Sequence, residues 1–180
     1  GGGSTDAAAV LYCLGELTGK KVSAPEKLGA DVPFFLTGGT AYVEGIGEKI
    51  TPIADYSGRI LVIGKGSEGV STAEAYRNID ALKAPQHPDA KALAEAIDSA
   101  PDTAWEHFGN LFEQAVCLEE VDKLKSAMLN KDALRAVMTG SGSAVFGLFE
   151  TREQAEICAE KLKKWGYFYA VCETVPESFI

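Results

Sequence analysis

Histidine is scarce in this chain: only His87 and His107 are present, in unrelated contexts that make no metal-binding pattern. The four cysteines, Cys13, Cys117, Cys158 and Cys172, include no C-x-x-C pair and fall singly in apolar stretches. Neither a zinc site nor a disulfide framework is indicated, and free buried thiols are the expectation. Basic residues are in the minority, 17 Lys and Arg against 26 Asp and Glu, for a formal charge of −9. That balance argues against a nucleic-acid-binding surface, which needs a basic stripe. A small phosphate ligand remains compatible, because backbone N–H groups at a helix N-terminus hold phosphate without net positive charge. No run is long and apolar enough to span a membrane, no secretory leader is expected, and internal repeats and low-complexity tracts are missing. What is present is 180 residues with 46% hydrophobic content, ample for a core in one large domain or two small ones.

Periodicity lays out the elements. Ala7, Val10, Leu11, Leu14 and Leu17 recur at helical spacing, and Gly19 supplies a stop signal. Between Ser23/Pro25 and Gly29 there is room for about one helical turn. Ala41 and Val43, then Ile50 and Ile53 beyond Gly45 and Gly47, predict a β-hairpin. The run "GRILVIGK" reads as a central strand, and "GSEGVSTAEAYRN" as a loop entering a short helix capped by Ser71 or Thr72. Helices are expected over 89–99, 102–116 and 118–130, with Asp102 and Thr103 supplying capping chemistry to the second. "ALRAVMTGSGSAVFGLFE" reads as strand, glycine-rich turn, strand. Thr151 caps a last helix, and "YFYAVCETV" closes the chain as a strand. From Gly58 onward this order suits an antiparallel sheet with helices on one face, an α+β class.

Three loops are candidates for chemistry. In "GGGSTDAAA" the glycines allow close backbone approach, and the first amides of the following helix lack intrahelical partners. Ser4 and Thr5 add hydroxyls for phosphate or a phosphate-bound Mg²⁺. The plain alternative is a linker joined to an ordinary helix cap. In "KLGADVPFF" Gly29 ends a helix and Pro33 biases Val32 to extended geometry, presenting Asp31 on a constrained turn where it can accept a proton from a hydroxyl. Many such aspartates only turn the chain. The small-residue segment from Thr139 to Ser143 is either a hairpin turn or a wall against which a ligand packs closely.

Taken in order, "GGGSTDAAA", "GADVPFF", "GIGEKITPI", "GVSTAEAY" and "TGSGSAVFG" resemble the GHMP kinase superfamily over essentially the whole chain. The "GADVPFF" and "GVSTAEAY" pair resembles its branch acting in the non-mevalonate isoprenoid pathway. The resemblance implies a two-domain fold: residues 1–57 as the C-terminal part of a ribosomal-protein-S5-like ATP-binding domain, and 58–180 as a ferredoxin-like C-terminal domain. It implies ATP, with Mg²⁺, as phosphoryl donor and a cytidine diphosphate-linked methylerythritol as acceptor. By position, Gly1, Gly2, Gly3, Ser4 and Thr5 match the end of the family's phosphate loop, and Asp31 its catalytic aspartate. Thr72 and Tyr76 match contacts to the cytidine end of the substrate, with Tyr76 stacking on the base, and Gly140, Ser141 and Gly142 match a late glycine loop beside the phosphates. A monomer or homodimer is implied, in a bacterial cytoplasm or plastid, without nucleic-acid or membrane partners. The chain resembles the family with its N-terminal portion removed, so no residue takes the role of the family's catalytic lysine, and these residues alone are not expected to turn over. "SAPEKLGAD" is also shorter than the family's helix before the aspartate. The alternatives are a homoserine- or mevalonate-type kinase and a non-catalytic ferredoxin-like binding module.

Overall fold

The computed structural model describes residues 2–20 and 22–176, which fall into two compact units: one runs through Ser57 and takes in the chain after Thr174, and the other is Gly58–Thr174. In the first unit, helix α1 (Gly2–Thr18) is followed by a single 3₁₀ turn (Pro25–Lys27), helix α2 (Val32–Thr37) and a hairpin of β1 (Ala41–Glu44) and β2 (Lys49–Pro52). The hairpin pairs Val43 with Ile50, as the alternation predicts. Its Gly47 has φ +106°, and a Cβ there would collide with the carbonyl of Ala30, so only glycine lets the turn lie on the segment before α2. Two features differ from expectation. Gly2, Gly3 and Ser4 form the first turn of α1 rather than a loop ahead of it. The apolar stripe of α1 is largely uncovered: only Ala8 is buried, while Val10, Leu14 and Leu17 are 58%, 49% and 83% exposed.

The second unit is built on β3 (Ile60–Lys65), β4 (Arg135–Met138), β5 (Val145–Phe149) and β6 (Phe168–Glu173) in the order β4-β5-β3-β6, every pairing antiparallel. Its helices are α3 (Thr72–Asp80), α4 (Ala90–Ser99), α5 (Glu119–Leu129) and α6 (Arg152–Lys164), giving a ferredoxin-like, split-βαβ arrangement. Alternation along the strands sends Ile60, Val62 and Gly64 of β3, with Val145 and Phe149 of β5, toward one face. There they pack with Leu124 and Met128 of α5 and with Cys158 and Leu162 of α6. A Cβ on Gly64 would come within 2.9 Å of Leu124 and Leu162, so the missing side chain is what lets both helices settle on the sheet. The opposite face is not bare, because Phe108 meets Phe146 edge-on at 5.9 Å. Thr151 caps α6 through a complete capping box with Gln154.

One expected helix is absent. In place of a continuous 102–116 segment there are two 3₁₀ turns, Ala104–His107 and Leu111–Gln114, separated by Phe108, Gly109 and Asn110. Thr103 makes no side-chain cap, and Asp102 instead pairs with Arg59 at 3.1 Å. The break has a local cause: the side-chain oxygen Oδ1 of Asn110 accepts from the Phe112 N–H, starting a new turn where the helix would have continued. Of the free thiols only Cys158 is buried, whereas Cys13 and Cys117 are exposed.

Candidate phosphate, carboxylate and nucleobase sites

In the first unit, the N-terminal turn of α1 presents Gly2, Gly3 and Ser4, with Thr5 next; Gly1 lies outside the described residues. A Cβ on Gly2 or Gly3 would meet nothing within 4 Å, so the space beside these backbones is open. N–H groups in the first turn of a helix lack intrahelical acceptors and carry the positive end of the helix dipole. The Ser4 hydroxyl oxygen lies 3.6 Å from where a Gly29 Cβ would stand, which places the start of α1 against the segment leading to Asp31.

Asp31 is the residue before α2; it is exposed, and its carboxylate makes no cap bond to the helix. The side chain is thus left for other partners. Val32 is not extended, as the following proline would bias it, but is the first residue of α2, fully buried, with its N–H donated to Gly29. Proline is tolerated in the first helical turn, where its missing N–H costs nothing, and the burial of Val32 overrides the local preference.

In the second unit, Ser71 rather than Thr72 caps α3, accepting from the Glu74 N–H. Thr72 is thereby free to turn its hydroxyl to Ser141, 2.9 Å away, joining the start of α3 to the loop between β4 and β5. That loop takes φ of +57° at Gly140 and +91° at Gly142, backbone that side chains disfavour. Gly142 also has no room for a Cβ, which would stand 2.6 Å from the Met138 sulfur and 3.3 Å from Val70. Ser143 is buried and donates its hydroxyl to the Glu68 carbonyl, making a second tie between the same two loops. One turn along α3 from Thr72, Tyr76 is 56% exposed and rests edge-on against Phe112 at 5.0 Å and 85°. A half-exposed aromatic ring backed by a second ring can take a flat ring as a further partner.

The loop ahead of α3 is anchored from α5. Glu120 accepts from the Glu68 N–H at 2.8 Å and the Ser67 hydroxyl at 3.0 Å, and the backbone donor first, then the hydroxyl, holds its carboxyl below the usual range. On the neighbouring face of α3, Ser71, Glu74 and Asn78 line a groove of about 330 Å³ with Val116 and Cys117. Thr72 and Tyr76 do not line it.

The first turn of α1 therefore lies, through Ser4, beside Gly29, two residues before Asp31, and Thr72, Ser141 and Tyr76 form a second group. The contributions of Asn110, Phe112, Ser143 and Glu120 are not apparent from sequence. For Asn110 and Phe112 a signal existed, since a Gly-Asn pair inside a helical pattern marks a break. No signal of comparable specificity marks the others.

Among the described residues, no group of three or more His, Cys, Asp or Glu side chains is arranged to hold a metal, and no helix is long and apolar enough to cross a membrane. Mg²⁺ needs no such cluster when it arrives with nucleotide, because phosphate oxygens and water fill most of its shell.

The second unit is ferredoxin-like with a glycine loop between β4 and β5, and the first carries a glycine-led helix and an exposed aspartate. The family model for the C-terminal region of GHMP kinases matches residues 78–167, and the chain belongs to that family. It is 38% identical over 172 residues to a protein of Clostridium novyi named 4-diphosphocytidyl-2-C-methyl-D-erythritol kinase, covering 90% of this chain and 61% of that protein. A Clostridium botulinum protein of the same name is 38% identical over 173 residues, with 91% and 61% covered. The chain thus spans 61% of the length of these curated relatives. Among solved structures, a 4-(cytidine 5'-diphospho)-2C-methyl-D-erythritol kinase superposes with a TM-score of 0.76 at 31% identity, covering 97% of this chain and 66% of that one. A homoserine kinase from Cytophaga hutchinsonii superposes with a TM-score of 0.74 at 19% identity over 95% of this chain and 64% of its own, a likeness of fold alone.

Proposed function

We propose that this chain belongs to a 4-diphosphocytidyl-2-C-methyl-D-erythritol kinase, which transfers the γ-phosphoryl group of ATP to the 2-hydroxyl of a cytidine diphosphate-linked methylerythritol in isoprenoid precursor synthesis. The observation that carries this reading is the 38% identity, over 90% of the chain, to enzymes of that name. Residues 1–57 are then the end of the ATP-binding domain and 58–180 the C-terminal domain. The reading carries with it a cytoplasmic or plastid location and a monomer or homodimer.

Phosphoryl transfer asks little covalent chemistry of the protein; it asks for in-line positioning and for positive potential where charge accumulates. The open amides of Gly2, Gly3 and Ser4 supply that potential at the ATP phosphates, which reconciles a −9 chain with a polyanionic ligand. Asp31, without a cap bond of its own, accepts the proton of the attacking hydroxyl. In the second unit Tyr76 would stack on the cytosine, and Thr72, a turn away, bonds Ser141 in the loop from Gly140 to Gly142. Mg²⁺ would enter bound to the phosphates, with the Ser4 hydroxyl as an added oxygen, and would neutralise their charge.

The test is ADP release by the complete gene product. We expect release to depend on the cytidine-linked alcohol, to fall about 10²-fold or more in Asp31→Asn, and to show a KM for that alcohol raised roughly tenfold in Tyr76→Ala. Turnover of homoserine or mevalonate with none of the cytidine-linked alcohol would reject the reading, as would full activity in Asp31→Asn.

A further inference from the structure

β4 is an edge strand, so the N–H and C=O that its last residue turns outward have no strand to meet. Side chains take the place of that strand. The Met138 N–H donates to Glu113 Oε1 at 2.6 Å, and the Met138 carbonyl accepts from Asn110 Nδ2 at 2.6 Å. The same Nδ2 donates to the Gly140 carbonyl at 2.8 Å, inside the glycine loop. Glu113 is steadied in turn by Lys125, 2.6 Å from its other oxygen, with both side chains about three-quarters buried. The orientation of the Asn110 amide follows from its partners, because a flipped amide would set its oxygen against two carbonyl oxygens.

The other end of the amide is used as well. Asn110 Oδ1 accepts from the Phe112 N–H at 3.0 Å and so fixes the 3₁₀ turn that presents Phe112 to Tyr76. A single side chain therefore holds the root of the glycine loop with its nitrogen and the support of the exposed tyrosine with its oxygen.

We infer that Asn110, with Glu113 beside it, is a positioning residue that sets the glycine loop at the phosphoryl end and the aromatic platform at the nucleobase end in one register. What those two ends hold rests on the function proposed above; that Asn110 restrains them rests on the contacts themselves.

Asn110→Asp separates the two uses. It keeps shape and the acceptor for Phe112, but loses both donors and sets a carboxylate oxygen against the Met138 and Gly140 carbonyls. Asn110→Ala removes both uses. The loop is read by hydrogen exchange in the complete gene product at the amides of Thr139 and Gly142, which donate to Ala144 and Thr139. Asn110→Asp should speed exchange there by about tenfold or more, while α6 and β6 keep their protection. In steady-state kinetics Asn110→Asp should lower kcat by up to about 10²-fold with KM for the cytidine-linked alcohol within roughly threefold, and Asn110→Ala should raise that KM as well. Glu113→Gln, which keeps the acceptor for Met138, should retain most of the loop protection. Unchanged exchange at Thr139 and Gly142 would overturn the inference, and so would a uniform loss of protection across the unit with kcat intact. If the wild-type protein does not use the cytidine-linked alcohol, the proposed function falls, while the exchange measurement still decides whether Asn110 restrains the loop.

Discussion

Replacing Gly64 by alanine puts a methyl group into the tightest part of the second unit. Its carbon would stand 2.9 Å from a methyl of Leu124, 2.9 Å from one of Leu162 and 3.1 Å from the Met128 terminus. All three neighbours are fully buried. Carbon atoms pack at about 3.5–4.0 Å, so α5 and α6 must each give way or change rotamer, in an interior with few voids. Overpacking of this kind costs about 1–3 kcal/mol, and the stiffer unfolded chain of alanine returns about 0.4–1 kcal/mol. The net expectation is a loss of about 1–2 kcal/mol, a fall of a few degrees in Tm. Both tryptophans, Trp105 and Trp165, lie within Gly58–Thr174, so urea melts followed by tryptophan emission report this unit rather than the whole chain. A second substitution checks the cause. Leu124→Ala alone should cost about 2–5 kcal/mol, but combined with Gly64→Ala it should cost less than the sum, because the new methyl occupies vacated space. An unchanged or higher urea midpoint in Gly64→Ala, or strict additivity in the pair, would refute the packing argument.

Other outcomes follow from titration and thiol burial. Because the Glu120 carboxyl is held below its ordinary range by the Glu68 N–H and the Ser67 hydroxyl, its contribution is complete above the unfolded-state value. It is lost as pH falls through the lower folded-state value. Urea midpoints measured across the acid range should therefore drop less steeply in Glu120→Gln than in wild type; identical slopes would show that Glu120 does not anchor the loop. Burial pushes the Cys158 thiol up to about 11, whereas Cys13 and Cys117 are exposed. At mildly alkaline pH a thiol reagent should label Cys13 and Cys117 in the native protein and reach Cys158 only in denaturant. Native labelling of Cys158 at the rate of the exposed thiols would contradict its place in the core.

Legibility from sequence varied with the range of the interaction. "GRILVIGK" declares a central strand because it is apolar without interruption, and β3 has a strand on each side. The Thr151 cap and the Gly45–Gly47 turn were equally plain, since each is decided within a few residues. The 102–116 segment misled because its apolar spacing fits a helix, while Gly109 and Asn110 break it and send the Asn110 side chain to Met138 and Gly140, far along the chain. Val32 misled in the opposite sense, its burial overriding the preference that Pro33 imposes.

The sequence alone settled most of the elements and their order, though neither the 102–116 segment nor α2, and it carries the short runs of glycine, serine and aspartate that resemble the GHMP kinase family. Those features depend on backbone preference and periodicity, which act over a few residues and are written locally. Tertiary structure alone decided that Ser141 faces Thr72, that Ser143 seals onto Glu68, and that Asn110 and Glu113 stand in for a missing strand beside Met138. A hydrogen bond between residues dozens of positions apart leaves no periodic trace, because its geometry exists only once the sheet has set the register of the strands that carry it.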